Sequence, residues 1–141
     1  MGKAKPYRFY YLVQEGCMLN NSINKRPLSP TELNLVLNLL AFCKYPYHLE
    51  LPIEQTLVFD LTDDGGMGSF EFVREHIHDR QYAKPLIQAE TYDTDGRKIM
   101  LEISIDEQGY LYQMDSWVAD FNPLVSPLGT VTVLENIQVK D

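Results

Sequence analysis

Asp60, Asp63, Asp115 and Asp120 are the residues whose chemistry would matter most if two of them met. A carboxylate pair works as general acid and base only when both face one cleft and one pKa is pushed up. Nothing in their spacing brings two of them together, so the expectation is a protein that is not an enzyme and has no catalytic residue. Asp63 and Asp64 open the run Asp-Asp-Gly-Gly-Met-Gly-Ser, residues 63–69. A phosphate-cradling loop would continue into Lys-Ser/Thr or a helix N-terminus. This one continues into Ser-Phe-Glu-Phe-Val, and its two aspartates repel phosphate. Gly65, Gly66 and Gly68 suit positive φ angles and a bulge in a hairpin connection. Three glycines and a methionine read as exposed exceed what a short hairpin needs. Asp63, Asp64, Gly65, Gly66 and Met67 are therefore expected to touch a partner.

Metal and nucleophile chemistry fare worse. Thr91, Asp93, Asp95, Gly96 and Glu102 fall on positions 1, 3, 5, 6 and 12 of an EF-hand calcium loop. An EF-hand needs helices on both sides, whereas the flanks here alternate as strands, so Asp-Thr-Asp-Gly reads as a hairpin turn. Glu-His-Ile-His-Asp, 75–79, offers His76 and His78 but no further ligands to complete a site, with His48 the only other imidazole. Ser69 lacks a Gly-x-Ser-x-Gly frame and precedes a strand. Cys17 and Cys43 form no Cys-x-x-Cys pair and read as free thiols. No metal or cofactor is expected.

Trp117, the single tryptophan, stands between Asp115 and Asp120. It either caps the core, with its indole N–H on an acceptor, or anchors a basic partner with both aspartates beside it. These three residues complete the expected partner-binding set.

The elements that must position these residues follow from the pattern. Ser29 as N-cap, Pro30 at N1 and Glu32 at N3 spell a capping box, with Leu28 and Leu33 as the staple. The helix should run from Pro30 to Lys44 and stop before Pro46. Leu33, Val36, Leu37 and Leu40 define one face, widened by Leu35, Leu39 and Phe42. The period then changes to two: Leu57–Leu61 and Phe70–Val73 read as paired strands, and residues 74–85 as a polar loop or lid. Leu86–Tyr92 and Arg97–Ile105 form a hairpin in which Ile99, Leu101, Ile103 and Ile105 face one way and Met100, Glu102 and Ser104 the other. Asp106–Gly109 is a second turn, leading into 110–121, and 129–135 is the last alternating run. The sum is an α+β fold: one main N-terminal helix packed on an antiparallel meander of about five strands.

With 141 residues, 45% of them hydrophobic and 23% charged, the chain suits one globular domain. Residues 26–141 are read as that single α+β domain and 1–25 as an N-terminal extension, Met18 being a second possible translation start. The apolar run Phe9–Val13 is too short for an export signal, and no segment is long enough to span a membrane. Cytoplasmic is the default. The net charge is −8, but residues 1–30 hold five Lys/Arg and one Glu, leaving seven basic against nineteen acidic residues, or −12, in 31–141. Such a surface repels nucleic acid and acidic membranes and steers basic partners toward it.

Arg-Pro-Leu-Ser-Pro-Thr-Glu, then Asp-Asp-Gly-Gly-Met-Gly-Ser-Phe-Glu-Phe, then residues 89–106, then Gly109–Leu124 together resemble a family of small bacterial proteins known only as a domain of unknown function. The resemblance spans about residues 26–125. It implies a compact stand-alone bacterial protein and brings no activity, cofactor or catalytic residue with it. By size and charge, the expectation is an acidic binding protein of the immunity type, which neutralises a basic toxin by mimicking its polyanionic substrate. The alternative is a small-molecule or peptide-binding module with its mouth at the 63–69 loop.

Overall fold

The computed structural model describes residues 24–61, 65–77 and 79–140. Seven strands form one antiparallel sheet with a single α-helix, α1, and a short 3-10 turn at Ile53–Gln55 among the described residues: the class is α+β. The strands are β1 (Arg26–Pro27), β2 (Leu57–Asp60), β3 (Phe70–Phe72), β4 (Tyr82–Tyr92), β5 (Lys98–Asp106), β6 (Leu111–Val118) and β7 (Glu135–Val139). Their order is β1-β2-β3-β6-β5-β4-β7. The expected single meander of about five strands is therefore two meanders, β1–β2–β3 and β4–β5–β6, joined where β3 pairs with β6 through Phe70↔Met114 and Glu71↔Gln113.

Helix α1 spans Pro30–Leu40 and starts as its sequence dictates. Ser29 Oγ accepts the Glu32 N–H at 3.2 Å, and Glu32 accepts the Ser29 N–H at 2.8 Å. The C-terminus comes four residues before the expected Lys44. Phe42 and Cys43 N–H bond to Leu39 and Leu40 carbonyls, the tight i→i−3 spacing that closes a helix. Leu35, Val36, Leu39 and Leu40 are buried, whereas Leu37 and Phe42, expected on the covered face, are exposed.

Residues directly opposite each other on paired strands share a face. One row runs Phe70–Met114–Ile103–Ile87 across four strands, and all four side chains are fully buried. With the α1 leucines, Phe72, Ile99 and Leu101 they form one core cluster, as the alternation in β5 predicts. Burying each such side chain contributes about 1.5–3 kcal/mol.

The opposite face departs from expectation. Its row runs Asp115–Glu102–Gln88–Gln138, and Glu102, Ser104, Gln113 and Asp115 are buried rather than solvated. Polar residues survive there because they bond one another. Tyr82 Oη donates to Glu102 at 3.1 Å, Gln88 Nε2 to Glu102 at 2.7 Å, and Gln113 Nε2 to Glu71 at 3.2 Å.

The expected 74–85 loop is shorter. Tyr82–Pro85 already belong to β4, where Pro85 sits beside a register shift that spares the ladder a missing donor. Arg80, buried, donates Nη1 to the Phe72 carbonyl and Nη2 to the Leu111 carbonyl, both at 2.5 Å, and Nε to Asp106 at 2.9 Å. This guanidinium bridges β3 to β6 beyond the last paired residues. Burial lowers its pKa, against the pull of Glu71 and Asp106.

Residues 129–134 form no strand; the final strand is 135–139 on β4. Gly129, at φ +92°, packs so closely on α1 that a Cβ would collide with the Thr31 carbonyl. Thr91 Oγ1 then donates to the Val133 carbonyl at 2.6 Å, holding this stretch by a side chain instead of a ladder. Residues 1–23, which include most of the expected extension and Cys17, lie outside the described residues. No helix among the described residues is long and apolar enough to cross a membrane.

Candidate partner-binding site

Three segments singled out in the sequence meet at one corner of the sheet: the glycine loop before β3, the β4–β5 turn, and the loop after β6. The turn comes first, because local chemistry dictates it. Asp93 accepts the Thr94 N–H at 2.8 Å, Gly96 takes φ +89°, and its N–H returns to the Asp93 carbonyl. The EF-hand register is thus a hairpin turn, with Glu102 far along β5 on other partners. Arg97 leaves the turn pointing at three carboxylates: Asp95 at 2.8 Å, Asp120 at 3.1 Å and Asp93 at 3.2 Å. It also donates to the Pro123 carbonyl at 2.9 Å.

Asp93 completes the link from the other side by accepting the Val125 N–H at 2.6 Å and the Ser126 N–H at 3.1 Å. Burial alone would raise its pKa, but the N–H groups of Val125, Thr94 and Ser126, with Arg97, hold it below the ordinary value. Asp120 accepts the Asn122 N–H at 3.0 Å, and that bond, with Arg97, lowers its pKa too. The Asp-Phe-Asn-Pro sequence is turn chemistry throughout.

The glycine loop docks on the same corner. Gly66 carbonyl accepts the Leu124 N–H at 3.1 Å, and a Cβ on Gly66 would stand 3.2 Å from Pro123 Cβ. With φ +81° as well, the position suits only glycine, as the hairpin reading requires. Met67, expected outside, is 3% exposed. Its carbonyl accepts Ser116 Oγ at 2.5 Å, so the loop turns the side chain inward beside β6.

The expected partner-binding residues therefore separate. Gly65, Gly66 and Asp120 lie at this corner, with Asp120 already clamped by Arg97. Asp115 is buried and accepts from Ser69 Oγ at 3.2 Å, so it presents no carboxylate to a partner. Trp117 is half-buried on β6 opposite Met100, on the face away from the core cluster. Asp63 and Asp64 lie outside the described residues, as does His78.

The acid–base pairings also separate. Asp60 lies in the row of Phe70 and Met114, so Asp115, next to Met114 along β6, points to the opposite face. Asp60 is instead held by Arg26 at 2.7 Å. On the sheet itself, Glu102 and Asp115 are directly opposed on β5 and β6. Sequence alternation could flag each but not their register. Burial, then Glu102 and Asp115, raise the pKa of the neighbouring Tyr82 well above the tyrosine range. Among the described residues no three His, Cys, Asp or Glu come together to hold a metal ion. Cys43 is a free thiol whose pKa burial raises, the opposite of an activated nucleophile.

One residue of this corner escaped the sequence reading although it was in view. Phe121, between Asp120 and Asn122, has φ +55° and is 61% exposed. Its place inside a turn sequence was the available signal, since an aromatic there has no strand or helix face to join.

No curated protein and no solved structure matches the chain. Residues 25–127, which contain all three segments of this corner, match the family described as a domain of unknown function (DUF6984), and the chain belongs to that family.

Proposed function

We propose that this protein is a non-catalytic acidic binding protein that recognises a basic protein, acting in the bacterial cytoplasm as an immunity protein does on a toxin. The observation that carries the reading is the fate of the arginines. Arg26, Arg74, Arg80 and Arg97 each face carboxylates of the chain itself. Among the described residues the strongest phosphate-binding groups are thereby spent internally, while the chain keeps a net charge of −8. A surface of that kind disfavours nucleic acid and acidic membranes and speeds encounter with a cationic protein. The separated carboxylates Asp60, Asp115 and Asp120 favour binding over acid–base catalysis.

The alternative, a small-molecule or peptide module with its mouth at residues 63–69, has less support. Pro123 and Leu124 already pack against that loop, and Met67 is turned inward.

The test is capture by the full chain from bacterial lysate, followed by expression of the captured protein with and without this one. A captured protein of basic pI that arrests growth alone and is silenced by co-expression is the expected result. Charge reversal at Asp63 and Asp64 should slow association. Capture of only acidic proteins, or of a basic one whose effect co-expression leaves unchanged, would sink the reading.

A further inference from the structure

We infer that Phe121, with Val125, is the apolar anchor of a docking surface for a basic protein segment: a pocket on the partner that receives the ring and is rimmed by Lys or Arg. The inference rests on the acidic-binder reading and deepens it by giving the place and the chemistry of contact.

The loop after β6 alternates inward and outward. Leu124 packs against the core cluster and Leu128 belongs to it, whereas Phe121 and Val125 are 61% and 64% exposed. Exposure alone would mean little. Here the backbone is fixed on every side: Phe121 N–H bonds to the Val118 carbonyl at 2.9 Å, Leu124 N–H to Gly66, Val125 N–H to Asp93, and Arg97 to the Pro123 carbonyl. Within that frame Phe121 is held in the left-handed region, which an aromatic residue adopts only when its surroundings over-determine it. The ring is thus presented outward on a rigid support and loses little freedom when it docks. Aromatic residues are enriched at interface cores for this reason.

Charge selects the occupant. Around the loop Asp93, Asp95 and Asp120 face the one guanidinium of Arg97, leaving a local excess of two negative charges. The glycine loop borders this surface, the Cβ position of Gly65 lying 3.9 Å from the Phe121 carbonyl. A second copy of this chain would bring the same sign of charge to the same place, so like-charge repulsion disfavours self-association.

The experiment pans the full chain with a phage-displayed random peptide library and measures the selected peptides against wild type, Phe121→Gly and Phe121→Tyr. Glycine accepts the φ of this position, so Phe121→Gly keeps the fold, checked by circular dichroism and melting. The expected result is peptides with Lys or Arg around an apolar residue, bound about tenfold or more weakly by Phe121→Gly, retained by Phe121→Tyr and weakened by salt. Basic peptides bound equally by all three proteins would overturn the anchor while leaving the acidic-binder reading standing. Peptides that need Phe121 but carry no positive charge would overturn the basic partner and that reading together. Dimerisation that Phe121→Gly abolishes would assign the loop to a second copy, and an empty selection beside a productive control protein would also overturn the proposal.

Discussion

Arg97 and Asp93 stand four residues apart across the β4–β5 turn, joined at 3.2 Å, and each also holds backbone of the loop after β6. The pair is thus a tie between two loops more than a turn ornament. Arg97→Met should lower the melting temperature and loosen residues 122–126. Amide exchange at Leu124 and Val125 reads the second effect, and it should rise while exchange in β5 stays slow. Exchange that stayed slow in the loop would mean that Asp93 and Gly66 suffice.

The depressed Asp93 and Asp106 carboxylates make stability acid-sensitive in a defined direction. A carboxylate whose folded pKa lies below its unfolded value stabilises above that unfolded value and loses the contribution as pH falls through the folded one. Stability should therefore hold down to the ordinary aspartate value of 3.8 and decline below it. Asp93→Asn should flatten part of that decline, measured by urea unfolding across the acid range.

Arg80 carries two carbonyls and faces two carboxylates, Asp106 and Glu71, in a buried position, and its loss leaves Asp106 without one of its two arginines. Arg80→Met should cost about 3–5 kcal/mol, the usual loss when one partner of a buried pair is removed. A denaturant midpoint unchanged within error would show that solvent replaces the guanidinium.

Glu102 opposite Asp115 puts like charges in register, which is unfavourable on a sheet. Glu102→Gln keeps an acceptor oxygen for Gln88 Nε2, can donate its own N–H to the Tyr82 hydroxyl oxygen and removes the repulsion, so its effect should stay within about 1 kcal/mol. Glu102→Leu removes the acceptor that Tyr82 Oη and Gln88 Nε2 share and should cost about 1–3 kcal/mol. Equal losses for the two variants would show that the charge itself matters.

Gly129 and Gly96 make a matched pair, both left-handed, at φ +92° and +89°. Alanine at either should cost about 1–2 kcal/mol for the backbone. Only Gly129→Ala also meets the Thr31 carbonyl, adding about 1–3 kcal/mol of overpacking, whereas nothing lies within 4 Å of a Gly96 Cβ. Similar melting temperatures would mean that α1 shifts freely.

Local signals in the sequence carried over well. Ser29, Pro30 and Glu32 announce the helix start, and Ile99, Leu101, Ile103 and Ile105 announce a strand with one dry face. Harder to read was everything that depends on which strands are neighbours. Alternation assigns Glu102 and Ser104 to water only when one face is wet, and here both faces are covered. The β3–β6 pairing joins residues far apart in the chain, and the inward turn of Met67 follows from Ser116 on β6. Phe121 and Arg97 acquire meaning only once three distant segments meet.

The bridge made by Arg80 bears on how the chain folds. The pairs β2–β3, β4–β5 and β5–β6 join neighbours in the chain, but β3 finds β6 only after a closure of about forty residues, an entropic cost that such local pairing does not carry. The ladder at that seam is short, and Arg80 extends it from the connection that follows β3. The two halves should consequently behave as separate cooperative units in refolding, and their union should be the slow step, set by when one arginine finds two carbonyls on different strands.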